Sequence, residues 1–104
     1  MYKSKYKKIA KEVILSEINS LKKLKASIDK NFYKVIETIV NCKKGKIILS
    51  GVGKSGIIAK KISSTLSSVG TPSFFVDASS CSHGDLGQIS SHDVLILILS
   101  LIHI

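Results

Sequence analysis

The segment Lys46-Ile-Ile-Leu-Ser-Gly-Val-Gly-Lys-Ser-Gly56 constrains this 104-residue chain more than any other. A short apolar run meets three glycines spaced G-x-G-x-x-G, at Gly51, Gly53 and Gly56, and a helical pattern opens directly behind them. Lys46–Ser50 is expected as a buried strand and Gly51–Gly56 as a tight turn. From Ser55 to about Val69 the apolar residues Ile58, Ile62, Leu66 and Val69 are expected on one helical face, closed by Gly70. Thr71-Pro72 interrupts the chain, Ser73–Asp77 (SFFVD) predicts a second strand, and Val94–Leu99 a third, preceded by Asp93. The strands are apolar throughout, as a parallel sheet covered on both faces requires. The fold class is therefore α/β, built on a βαβ unit.

Upstream, Ile9/Ala10, Val13/Ile14, Ile18, Leu21 and Leu24 recur at three- and four-residue intervals and predict a helix. A second helix carries Phe32, Val35, Ile36, Ile39 and Val40, with Asp29 as its N-cap and Gly45 as its C′ residue. Both are read as covering helices. This divides the chain into a helical segment, 1–44, and a partial α/β domain, 45–104.

The net charge of +9 suggests a nucleic-acid binder until it is located. Residues 1–46 hold 13 lysines against 4 acids, whereas residues 47–104 hold three of each, and the chain has no arginine. Base readout draws on arginine forks, so the lysines read as the solvated face of a helix and no specific nucleic acid is expected as a partner. No signal peptide is recognisable, and Val94–Leu99 is too short to span a bilayer, so a cytoplasmic protein without a membrane partner is expected. Cys42 and Cys81 read as free thiols. Cys81 and His83 have no second ligand pair beside them, so no zinc site is expected.

Glycines at a strand-to-helix turn let backbone N–H groups approach an anion, and the helix N-terminus favours its charge. The functional reading of the turn is phosphate; the alternative is a tight connection with no ligand. A P-loop would need glycine where Ile48 stands. A dinucleotide site would need an acid at the end of the next strand, and Asp77 lies there, 21 residues past Gly56. On pattern alone the dinucleotide reading leads; Lys54 inside the turn counts against it, because such sites more often leave the anion to the backbone.

The stretch GVGKSG…GTPSFFV…HGDLG resembles bacterial arabinose 5-phosphate isomerases, with the three blocks in the same order and at matching spacing. The resemblance implies a sugar-isomerase (SIS) phosphosugar-binding domain and a reaction interconverting ribulose 5-phosphate and arabinose 5-phosphate, which supplies the Kdo sugar of lipopolysaccharide. It implies a homo-oligomer that binds a sugar phosphate and uses no cofactor. It also implies that Gly51, Gly53, Lys54, Ser55, Gly56, Gly70, Thr71 and His83 bind substrate, and that Lys54 and His83 serve catalysis. Lys54 would stabilise phosphate or enediolate charge, with a solvated surface lysine as the alternative. Gly70 and Thr71 read equally well as a helix stop. His83 would transfer a proton, its ordinary pKa suiting that role, and Asp85 would order the loop around it.

Two departures stand out. Where the family carries a histidine associated with metal in some members, this chain has Asp77, so no metal is expected. After the third strand the family continues into a second serine-rich cradle and catalytic carboxylates, whereas this chain reads Ile98-Leu-Ser-Leu-Ile-His-Ile104. A partial SIS domain, inactive by itself, is the expectation; a dinucleotide-binding βαβ fragment and a basic interaction module are the alternatives.

Overall fold

The computed structural model describes residues 2–79 and 85–99. His83, Cys81 and His103 lie outside them. Two compact units are present, residues 1–35 and 36–104.

The first 44 residues contain neither glycine nor proline, and their lysines, leucines and isoleucines carry little helix penalty. Helix α1 (Tyr2–Ser27) follows, with its apolar residues exposed. Asp29 then caps α2 (Lys30–Val40): its Oδ1 accepts the N–H groups of Asn31 at 2.9 Å and Phe32 at 3.4 Å. That cap is the one the sequence predicts.

In the second unit, β1 (Ile47–Gly51), α3 (Gly53–Ser68), β2 (Ser73–Asp77) and β3 (Val94–Ile98) follow in order, with a 3-10 turn at Asp85–Gln88 before β3. The sheet is parallel with order β2-β1-β3, pairing Ile47 with Ser73 and Val94, and Gly51 with Asp77 and Ile98. Being central, β1 holds the fully buried side chains Ile47, Ile48 and Leu49, each contributing roughly 1.5–3 kcal/mol by burial. The crossover from β1 to β2 runs through α3, which packs on one face of the sheet.

Helix α3 does not bury the stripe its large residues suggest. Gly56, Ala59 and Ser63 face the sheet with Leu66 partly buried, while Ile58, Ile62 and Val69 are exposed. Small residues win that face because they let the helix backbone approach a sheet already filled by Ile47, Leu49 and Phe75. Ser63 is tolerated there because its hydroxyl receives that of Ser73 at 3.2 Å.

Gly45 is also not the helix terminator expected. Helix α2 ends five residues earlier, and Gly45 has no positive φ. It is small because a Cβ there would collide with the carbonyl of His92 and lie 2.7 Å from Asp93 Oδ1. Gly70, by contrast, does close α3. At φ +92° it donates to Ser67 O at 3.2 Å, and Thr71 donates to Leu66 O at 2.9 Å, the paired bonds of a Schellman motif.

Candidate phosphate-binding turn

The turn sits at the carboxyl end of the sheet, where parallel α/β sheets bind ligands. Strand β1 ends at Gly51, whose Cα position leaves a side chain only 2.9 Å from Ile98 O and 3.0 Å from Gly56 N. A side chain at Gly56 would in turn lie 3.0 Å from Gly51 O. These two glycines bring the start of α3 against the end of β1. Gly53 acts differently. At φ +62° it reverses the chain into the helix, with open space around it.

The residue before the helix, Val52, is extended and cannot cap with its side chain. The first intrahelical bond there runs from Gly56 N to Val52 O at 3.3 Å. The N–H groups of Gly53, Lys54 and Ser55 thus begin α3 without intrahelical acceptors, and the helix dipole adds positive potential. Lys54 is exposed beside them and Ser55 is partly buried.

A cavity of about 160 Å³ opens between this turn and β2, walled by Gly51, Gly56, Ile57, Lys60, Phe75 and Asp77. The Asp77 Oδ1 accepts the Ser79 hydroxyl at 2.8 Å and the Ser79 N–H at 2.9 Å, and these bonds hold its carboxyl below the usual range. Sequence reading did not identify Lys60 as part of this wall. Its place on the second turn of α3, facing β2, follows from the stripe formed by Gly56, Ala59 and Ser63. Ser50, one residue before the turn, is 3% exposed, and its hydroxyl finds no partner among the described residues.

The structure brings Gly51, Gly53, Lys54, Ser55 and Gly56 together, but not Gly70 and Thr71. These lie past the far end of α3, a helix of 16 residues and so about 24 Å long. They line a separate cavity at the amino end of the sheet with Cys42, Lys43 and Pro72. Among the described residues no cluster of three metal-ligating side chains occurs, and no helix is long and apolar enough to cross a membrane.

Known proteins share this arrangement. The SIS domain family matches residues 39–100. The chain is 50% identical over 91 residues to the arabinose 5-phosphate isomerase KdsD of Francisella tularensis, covering 86% of this chain and 28% of that protein. It is 46% identical over 89 residues to KpsF, an arabinose 5-phosphate isomerase of Escherichia coli O6:H1, covering 85% and 27%. The chain thus spans under a third of these relatives' length. Among solved structures it superimposes on an E. coli CFT073 protein in complex with arabinose 5-phosphate at a TM-score of 0.78 and 40% identity, covering 86% of this chain and 47% of that one. A Bacteroides fragilis protein described as a phosphosugar isomerase of capsule formation gives 0.66 and 36%, covering 81% and 48%. With the family match spanning more than half of its residues, the parallel sheet and the glycine turn in place, this chain belongs to the SIS domain family and is related to the arabinose 5-phosphate isomerases.

Proposed function

We propose that the Gly51–Gly56 turn binds the phosphate of a pentose phosphate such as arabinose 5-phosphate or ribulose 5-phosphate. The observation that carries this is the uncapped first turn of α3 behind Gly53, with Lys54 beside it. Backbone donors, a helix dipole and a cation converge on one anion. In this reading Lys54 neutralises phosphate charge, whereas enediolate stabilisation by Lys54 and proton transfer by His83 need a positioned base as well. Gly70 and Thr71, a helix length away, reach the same ligand only from a second copy, which supports a homo-oligomeric site. A cytoplasmic role in supplying Kdo belongs to the same reading.

These 104 residues bind without isomerising. Enediol chemistry needs a positioned base, and the acids between Gly45 and Leu99 are Asp77, Asp85 and Asp93. Asp93 is committed to the fold, its two oxygens accepting the Lys46 and Ser90 N–H groups at 2.8 Å each. Isothermal titration of the chain with arabinose 5-phosphate, ribulose 5-phosphate and NAD tests the binding. Dissociation constants in the millimolar range, about −4 kcal/mol, are expected for the pentose phosphates. Tighter binding of NAD would overturn the assignment.

A further inference from the structure

The two edges of the described sheet differ. Strand β2 is entered through Pro72, opens on Ser73 and ends on the exposed Asp77, and proline and charge keep a strand edge from pairing. Strand β3 reads Val94-Leu-Ile-Leu-Ile98, with no charge, proline or glycine. Among the described residues it pairs with β1 alone. Its outer N–H and C=O groups form an unprotected row five residues long. Val94, Ile96 and Ile98 pack against the buried Ile47, Leu49 and Ala59 on the α3 side. Leu95 and Leu97, on the other face, are 45% and 55% exposed.

We infer that this edge pairs with the same edge of a second copy, β3 against β3 in antiparallel register about Ile96, joining two three-stranded sheets into one. A closed two-fold contact must be self-complementary. This strand is: reversed about Ile96, Leu95 meets Leu97 and Val94 meets Ile98. A two-fold axis through Ile96 and perpendicular to the sheet keeps the faces. The β-branched residues then continue the layer on the α3 side, and the leucines cover one another on the other side. Charge does not oppose the pairing, because residues 47–104 hold three lysines and three acids and the excess lies upstream. A five-residue strand buries less than the roughly 800 Å² per partner of a standard interface, so the dimer should dissociate on dilution. The inference is independent of the phosphate reading. In this pairing β1 of one copy lies four strand spacings, about 19 Å, from β2 of the other. It is therefore not the contact that would carry Gly70 and Thr71 to a neighbour's turn.

Sedimentation equilibrium of the 104-residue chain reads the association, and isotope-filtered NOE spectra of mixed labelled and unlabelled chain read the register. The expected result is a reversible pairing in which contacts between copies join Leu95 to Leu97 and Ile96 to its own counterpart. Leu95→Lys, at an exposed position, sets two lysines in each dimer against the partner copy's leucine and should weaken association about tenfold. Leu97→Lys should do the same, and Ile58→Lys, on the exposed side of α3, should leave association unchanged. Amide spectra check that each variant keeps its fold. A single monomeric species at high concentration, contacts between copies in which β3 takes no part, a register not centred on Ile96, or association that survives both leucine substitutions overturns the inference.

Discussion

The backbone N–H of Lys46 donates to Oδ1 of Asp93 at 2.8 Å, joining the residue before β1 to the residue before β3 across 47 positions of sequence. The Lys46 ammonium lies 3.7 Å from the same oxygen, and the Asp93 side chain has no exposed surface. The other oxygen accepts the Ser90 N–H at 2.8 Å. One carboxylate thus aligns two neighbouring parallel strands that are not consecutive in the chain, and the turn at their far ends inherits that alignment.

Asp93 makes stability depend on acid. The Ser90 N–H first, and then the Lys46 N–H, hold its carboxyl below the ordinary value of 3.8. A depressed folded-state value means that the contribution is fully present above about pH 3.8 and is lost as pH falls through the lower folded value. Thermal unfolding followed against pH should show a steep acid limb below about pH 4 that Asp93→Asn flattens. Asp93→Ala should lower Tm at neutral pH by about 5 °C or more.

Gly45→Ala should destabilise the second unit by about 1–3 kcal/mol, because its Cβ meets the backbone of His92 and not a movable side-chain tip. Gly70→Ala should cost about 1–2 kcal/mol by a different route, the strain of φ +92° with a side chain. Urea unfolding measures both. An unchanged midpoint for Gly45→Ala would show that β1 and β3 are not held at this distance.

These two glycines show what the sequence could and could not convey. Gly70 was legible as a helix stop because its signal is local: an apolar period ending, then glycine, then Thr-Pro. Gly45 gave the same local signal after α2, yet its cause is contact with a segment nearly fifty residues away. The α3 stripe misled for a related reason. Periodicity marks Ile58, Ile62 and Val69 as apolar, but the depth of the sheet beneath decides that Ala59 and Ser63 face it. At the site, the turn residues and Asp77 were legible from spacing. The separation of Gly70 and Thr71 from the turn was implied by the helix predicted between them, and it was the resemblance that placed both at one ligand.

Leu95, Leu97 and Leu99 are exposed on alternate positions of and just beyond β3, and β3 forms an edge of the described sheet. An apolar strand edge invites pairing. Sedimentation velocity should show self-association that grows with concentration and weakens in Leu97→Lys. A single monomeric species at high concentration would contradict this.

Arabinose 5-phosphate formation from ribulose 5-phosphate by these 104 residues should stay at background in a coupled assay. On the proposed reading, binding without a positioned base forfeits on the order of 8 kcal/mol of barrier lowering, about six orders of magnitude. Turnover abolished by Lys54→Ala or His83→Ala would show that these residues alone carry the chemistry.

The most direct test of the central claim is an amide-resolved NMR titration of the chain with arabinose 5-phosphate. The N–H signals of Gly53, Lys54, Ser55 and Gly56 should move together and saturate in the millimolar range, and Lys54→Ala should weaken the response. Shifts confined to the lysines of α1, or centred on Gly70 and Thr71 with the turn silent, would contradict it.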